Sequence, residues 1–208
     1  TTGKEDTLFS PYLSVPFQMA REAGEIPEGV EIAGTWSRLS EQGDATYLNV
    51  VYMIGYDATD VHDLTRGEIE GRKQAMWAFK ALKKYTPGFE KAALRSFSAS
   101  LGIRESRKII GRYTLTENDV RHQGRFADTI GIFPEFLDGY GIVILPTTGR
   151  YFQVPYGITV PKKVENLLVA GRCVAGDQHS HSATRQMMCC TVTGQGAGVA
   201  AALSIKQH

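Results

Sequence analysis

The sequence predicts an α/β fold in which helices and strands are mixed. Residues 167–170 form a continuous apolar run closed by Gly171, which is typical of a strand buried on both faces. Apolar residues at helical spacing indicate one long helix at about residues 63–85. Alternating β-type segments occur at 35–55 and 127–157. Together these patterns predict a mixed α/β (α+β) fold.

The composition is that of an ordinary globular protein, and it disfavours several function classes. Of the 208 residues, 42% are hydrophobic and 22% are charged, and the formal net charge is +1. Because this balance creates no strong positive field, we expect no nucleic-acid or membrane-surface partner. The three cysteines, Cys173, Cys189 and Cys190, are too clustered for a disulfide framework. We therefore expect buried free thiols and a reducing, cytoplasmic location.

Two segments, one near each end of the chain, bear on targeting and on membrane insertion. The first residues lack the basic and apolar regions of a signal peptide, and they lack an initiator methionine. Methionine removal, a shortened chain and proteolytic processing before Thr1 all fit. Residues 187–205 carry no charge and contain Gly194-x-x-x-Gly198, a spacing found in membrane helix pairs. Their many small and polar residues make them weakly apolar, so we expect a helix packed tightly inside the domain.

The N-terminal half is predicted to contain a strand, a hairpin and the long helix. Tyr12, Val15, Phe17 and Met19 alternate as in a strand. Residues 35–39 and 45–55 are predicted to be the two arms of a β-hairpin, joined by the turn EQGD. For the helix at 63–85, Asp60 or Asp63 is the expected cap, and Pro87 and Gly88 end it.

The segment between residues 102 and 157 combines arginines with further β-structure. Residues 109–115 alternate as a strand, and Thr116 is the expected N-cap of a short helix. Five arginines lie between Arg104 and Arg125. They either pair with Glu105, Glu117 and Asp119, or contact an anionic cofactor or a substrate carboxylate. Residues 127–157 are predicted to be turn-rich β-structure, with the proline-containing end as an edge strand.

A polar loop is predicted between the strand at 167–170 and the C-terminal helix. It contains His179, His181 and Arg185, and histidine suits proton transfer near neutral pH. A loop at the carboxyl end of a strand, before a helix, is where open α/β folds bind ligands. An ordinary surface loop is the alternative. His179 and His181 with Asp177 are a weak metal pattern, and C-x-x-C is absent, so no metal site is predicted.

The glycine-rich run at 194–198 is not a phosphate-binding turn. A dinucleotide fingerprint requires G-x-G-x-x-G directly after a strand, whereas here residue 199 is Val and the run belongs to a late helix. The sequence contains no P-loop either. A conventional nucleotide-binding turn would therefore have to come from outside this chain.

Four short motifs occur in a fixed order within residues 57–206. They are DLTRGEIEGR at 63–72 followed by PGF at 87–89, GIRESR at 102–107 with Gly111 behind it, NLLVAGR at 166–172, and TGQGAGVAAA at 193–202. Together they resemble the C-terminal portion of a family of FAD-dependent oxidoreductases whose flavin domain is of the two-dinucleotide-binding, Rossmann type. The agreement of four separated motifs makes the resemblance specific.

The resemblance implies FAD as the cofactor and a particular division of the chain. Residues 156–208 would be the closing strand and helix of the FAD-binding domain. Residues 1–155 would be a mostly β-rich substrate or cap region. The N-terminal Rossmann segment of the family is missing here, so the resemblance implies a heteromer with a second polypeptide that carries it, or a processed precursor.

The resemblance also implies residue roles. The closing helix would direct its N-terminus at the pyrimidine edge of the flavin, where negative charge develops on reduction. The implied cofactor-binding residues are Gly171, Arg172, Gly194, Gln195, Gly196 and Ala197. Family members often carry SATHEALGSIRVMP in the preceding loop. Here Arg185 and Met187 keep that spacing, while Met188 replaces the proline.

The implied activity is transfer of a hydride from a small organic substrate to flavin, by dehydrogenation beside a carbonyl or of an alcohol. His179, His181 and Arg185 are the predicted catalytic residues, which orient the substrate and move the proton. A histidine that anchors flavin covalently is a further role known among flavoenzymes. The alternative is a non-catalytic structural or regulatory subunit of a flavoprotein. A hydrolase with Thr1 as nucleophile is disfavoured because the sequence lacks the lysine constellation it needs.

Overall fold

The computed structural model describes residues 11–30, 32–39, 45–139 and 142–207. It divides the chain into two units, Thr1–Ile103 and Arg104–His208. Helices and strands occur in both units, so the predicted mixture of α and β structure is confirmed at that level. The predicted functional boundary between residues 155 and 156 lies within the second unit and stays a prediction.

The first unit begins with a helix where a strand was expected. Helix α1 spans Pro11–Glu22, so the strand prediction for this segment is wrong. Phe17 and Ala20, three residues apart, are both fully buried. That spacing places them on one face of a helix, and a proline at the first helical position is compatible with helix initiation. The alternation seen in the sequence was therefore a helical pattern sampled over too few residues.

The hairpin and the long helix of the first unit are confirmed. Strands β1 (Ile32–Leu39) and β2 (Ala45–Val51) pair antiparallel, and their predicted turn lies outside the described residues. Helix α2 spans Val61–Tyr85, and the Asp60 side chain caps it by accepting from the backbone N–H groups of His62 and Asp63. The buried core of this unit comprises Phe17, Ala20, Ile26, Ile32, Val50, Ala78, Ala81 and Leu82.

The second unit contains a short capped helix and two small sheets. Helix α3 spans Glu117–Arg121, and Thr116 forms the predicted cap as half of a capping box. Among the described residues, β3 (Thr129–Pro134) pairs antiparallel with β6 (Tyr151–Pro155), and β4 (Leu137–Gly139) with β5 (Ile142–Ile144). These strands confirm the predicted turn-rich β region. Their buried core comprises Leu115, Val120, Phe133, Leu137, Phe152, Val154, Ile158, Val174, Ala175, Ala183 and Cys189.

Two predicted strands of the second unit are not strands. Residues 167–170 have no ladder partner in the described part of the chain; Val169 N–H donates to the Thr159 carbonyl over 2.8 Å, and Leu167 is 47% exposed. The segment 109–115 makes only isolated bridges, at Gly111 and Leu115, within the described residues. The apolar run at 167–170 is therefore neither buried on both faces nor paired as a strand, because strand structure requires a neighbouring strand to pair with.

The C-terminal region contains two consecutive helices. Helix α4 spans Gln178–Thr184, where a polar loop was predicted, and helix α5 spans Met187–Lys206. The expectation that α5 packs tightly inside the domain is wrong for this chain, because only Cys189 and Thr193 of the helix are buried. By length and composition alone, α5 qualifies as a membrane-crossing helix among the described residues. Length and apolar composition are shared by many core helices of soluble proteins, so this is weak evidence for a membrane span.

Candidate active site

Asp177 sets the position of α4. Its carboxylate accepts hydrogen bonds from the backbone N–H groups of Ser180, over 2.7 Å, and of Glu117, over 2.8 Å. The first bond caps α4, and the second ties α4 to the start of α3. Short helices are marginal alone, so this double use of one carboxylate explains why seven residues, six of them polar, form a helix here. Asp177, the aspartate of the weak metal pattern, therefore serves as a structural cap.

His181 lies on the buried face of α4. The residue is only 1% exposed, and its Nε2 lies 3.1 Å from the carbonyl oxygen of Arg172. Its Nδ1 is buried and finds no hydrogen-bond partner among the described residues. Burial lowers the pKa of His181; Lys108 and Arg185 also lower it, and Glu105 opposes them. The neutral ring then donates from Nε2 to the carbonyl, which leaves a lone pair on Nδ1.

His179 lies on the opposite side of α4. Residues two apart on a helix do not share a face, so His179 and His181 cannot both reach one ligand without unwinding α4. The His179 side chain is 33% exposed, and its Nε2 lies 4.0 Å from a carboxylate oxygen of Glu117 on α3. The structure therefore separates the two predicted catalytic histidines. Within the described residues, no group of three potential ligands is arranged to hold a metal ion.

Arg185 shares the buried face with His181, one helical turn further on. It is the C-cap of α4, and its guanidinium donates to both the backbone carbonyl and the carboxylate of Asp138 on β4. The Nη2 to Oδ2 distance is 3.1 Å, and the arginine side chain is only 14% exposed. Burial lowers the pKa of Arg185, as does the nearby positive charge of Arg104, while Asp138 opposes both.

The segment before α3 brings three charged residues to this face. Arg104 Nη1 lies 3.9 Å from Asp138 Oδ2, so two guanidinium groups share one carboxylate. Glu105 pairs with Lys108, and Lys108 Nζ lies 3.5 Å from the backbone carbonyl of Asp177. Among the described ion pairs, the partner of Glu105 is therefore Lys108, a lysine three residues away, rather than one of the five arginines.

Two further arginines of this segment differ in whether they form the predicted ion pairs. Arg121 pairs with Glu117 over 3.1 Å, as ion pairing predicted. Arg125 instead stacks 4.1 Å from the ring centre of Tyr151 and donates to its backbone carbonyl. Sequence reasoning missed Asp138 altogether. Its neighbours form no recognisable motif, and only the packing of β4 beside α4 brings it to Arg185.

The predicted cofactor-binding residues fall into two groups. Gly171 and Arg172 lie in a short 3-10 turn, Gly171–Cys173, against α5. Gly171 has a φ of +81°, a conformation that glycine adopts without strain, and its N–H donates to the Thr193 hydroxyl over 3.0 Å. The Arg172 carbonyl is the acceptor for His181. This turn therefore links the buried histidine to the first turns of α5.

The second group lies in the middle of α5 and presents two different faces. Gly194 and Gln195 are exposed, and a Cβ added at Gly194 would meet nothing within 4 Å. Gly196 faces β3 instead, where an added Cβ would lie 2.6 Å from Ile130 Cδ1 and 2.8 Å from its Cβ. Ala197 is half-buried. Gly196 therefore permits close packing of α5 on β3, and Gly194 with Gln195 offers open surface.

The position at which α5 begins determines which backbone N–H groups can donate to a ligand. The helix begins at Met187, so its free N–H groups belong to the residues just after Gln186, while those of residues 194–197 lie within the helix. Arg185 and Gln186 are consecutive, so the charged face of α4 leads directly to this helix end. A helix N-terminus favours negative charge, which suits the pyrimidine edge of a reduced flavin. The free amides and the open glycine surface fit such a cofactor.

The cysteines are free thiols, as predicted, although they are not all buried. Cys189 is buried, and burial raises its pKa to about 12. Cys190 is half-buried with a raised pKa, caused first by burial, and Cys173 is exposed. The expectation of buried thiols is therefore wrong for Cys173, which lies on the 3-10 turn Gly171–Cys173.

The comparisons with known proteins support the same cofactor. No curated protein and no solved structure matches this chain at a significant level. The family model described as FAD dependent oxidoreductase matches residues 10–208, nearly the whole chain. The chain therefore belongs to the FAD-dependent oxidoreductase family, and its cofactor is FAD.

Proposed function

We propose that this chain is the substrate-side portion of an FAD-dependent dehydrogenase or oxidase, with His181 as the proton acceptor and Arg185 as a substrate-orienting residue. The observation that carries the proposal is that His181 and Arg185 share one face of α4, whose end leads directly into the start of α5. When bound, FAD supplies the acceptor for a hydride removed from a small organic substrate.

The electrostatic state of His181 suits a base. Burial keeps the ring neutral, and the Arg172 carbonyl selects the tautomer with a lone pair on Nδ1. Proton transfer to this atom requires that the covering side chains open, because Nδ1 is buried in the present conformation. Arg185 is held by Asp138, so its orientation does not depend on the substrate.

The second part of the proposal is a partner. We propose that a second polypeptide carrying the N-terminal FAD-binding segment completes the cofactor site. The exposed apolar side chains of α5 support this, since Met187 is 85% and Ile205 is 80% exposed. Exposed apolar residues of that size, in a helix with only two buried positions, are typical of an interface.

The proposal is tested by purifying the chain together with its partner. We expect flavin absorption bands, and anaerobic bleaching of those bands when small alcohols or saturated carbonyl compounds are screened. His181→Gln should slow bleaching by at least about a hundredfold while flavin remains bound. Absence of flavin from the purified complex after careful handling would refute the proposal that it is an FAD-dependent enzyme. Flavin binding with full turnover in His181→Gln and Arg185→Gln would instead support the structural-subunit alternative.

A further inference from the structure

We propose that Arg104 and Arg185, bridged by Asp138, form a subsite for a carboxylate group, and that the substrate carries this carboxylate. The inference rests on the proposed function in naming the substrate, and it adds Arg104 and Asp138 to the site. A carboxylate-bearing alcohol or saturated acid is then the expected substrate class.

The geometry divides the roles of the two arginines. Arg185 is largely buried and is held by two contacts with Asp138, one of them to a backbone carbonyl that cannot move independently of β4. Arg104 makes a longer contact of 3.9 Å with the same carboxylate, and both of those side chains are about two-fifths exposed. Exposed ion pairs of this kind contribute little stability, so a ligand can exchange with this one at small cost. Arg185 supplies the fixed contact and Arg104 the exchangeable contact.

The charges of the cluster favour a monoanion. Arg104, Arg185 and Lys108 are positive, whereas Asp138 and Glu105 are negative, so the group carries one excess positive charge. The two guanidinium groups repel each other, which is one cause of the lowered pKa of Arg185. A bound carboxylate removes this excess charge, and its two oxygens match the fork of a guanidinium. A phosphate dianion would leave the cluster with excess negative charge.

Binding can be measured without turnover. We would titrate the FAD-loaded complex with propionate, and separately with propionamide, a neutral analogue of the same shape, and follow binding by saturation-transfer difference NMR. We expect propionate to bind and propionamide not to bind. Inorganic phosphate should compete poorly. Equal binding of acid and amide, no binding of propionate, or tighter binding of phosphate would each overturn the subsite.

Two variants are expected to change the affinity for propionate in opposite directions. Arg104→Gln should weaken propionate binding by about tenfold, because one charge-assisted contact is lost. Asp138→Asn should tighten it severalfold, because the competing carboxylate is removed. Arg107→Gln, an exposed arginine in the same segment, is the matched control and should change nothing. Equal effects of Arg104→Gln and Arg107→Gln would contradict the inference.

The outcomes separate this inference from the proposed function. If the flavin is never reduced, yet propionate binding to the FAD-loaded complex still depends on Arg104, the oxidoreductase proposal fails and the subsite remains. If the flavin is reduced by a neutral substrate and Arg104→Gln has no effect on propionate, the subsite fails and the oxidoreductase proposal remains.

Discussion

Helices α2 and α5 differ in how far their own chain covers them. Helix α2 buries Ala78, Ala81 and Leu82 against the first unit and directs charged residues outward. Helix α5 carries no charge before Lys206 and buries only two residues. The comparison shows that a helix can be well predicted as an element while most of its surface remains uncovered. Among the described residues, two of the three buried side-chain polar atoms without a partner belong to α4, at His181 and Thr184, and α5 exposes five large apolar side chains.

The largest expected effect concerns the histidines of these two regions. His181→Gln should lower the rate of flavin reduction by about a hundredfold to ten-thousandfold, because a base is removed from the reaction. His62→Gln, on the exposed start of α2, is the matched control and should leave the rate unchanged. Anaerobic stopped-flow absorption measures both. A comparable loss in His179→Gln would show that α4 does not keep the orientation described.

Glycines test the packing of the two helices. Gly196→Ala should destabilise the protein by about 1–3 kcal/mol, because the new Cβ meets Ile130 Cβ, which is not a flexible side-chain end. Gly71→Ala on α2 is the counterpart, since its Cβ would make ordinary contacts at 3.6 Å or more. We expect Gly71→Ala to be neutral or stabilising by up to about 1 kcal/mol. Urea unfolding measures both, and an unchanged Gly196→Ala would contradict the close approach of α5 to β3.

The open face of α5 gives a smaller effect with two readouts. Gly194→Ala should stabilise the flavin-free protein by about 0.5–1 kcal/mol, since the new methyl group meets nothing and alanine favours a helix. If this face approaches the cofactor, the same change should weaken FAD binding, as fluorescence titration would show. Gly198→Ala, on the same open face, should raise stability alone. Identical FAD affinities in both variants would remove Gly194 from the cofactor site.

The pH dependence of stability gives the smallest effect. The pKa of His181 is lowered in the folded protein, so the unfolded chain takes up a proton first as the pH falls below the ordinary value of 6.5. The stability contributed by the neutral ring is complete above that pH and is lost during acidification. His181→Gln should therefore make urea midpoints less sensitive to acid.

Sequence patterns predicted an element correctly where the interactions that stabilise it are local in the sequence. Asp60 before α2 and Thr116 before α3 are caps whose side chains bond to backbone groups only two or three residues away, so local sequence is sufficient. The hairpin was predictable because alternation and turn residues lie close together. The same methods mistook α1 for a strand and α4 for a loop. Their helical state depends on burying Phe17 in one case and on the distant Asp177–Glu117 contact in the other.

The sequence by itself determined the family, the cofactor and the residue types available for chemistry, because motifs preserve identity and spacing along the chain. The tertiary structure alone decided which of those residues meet. It turned His181 and Arg185 to one side of α4 and His179 to the other, and it brought Asp138 to Arg185 across 47 positions of sequence. Side-chain contacts of this kind depend on the rotation of each helix about its axis and on the packing of separate elements, and no local sequence pattern encodes them.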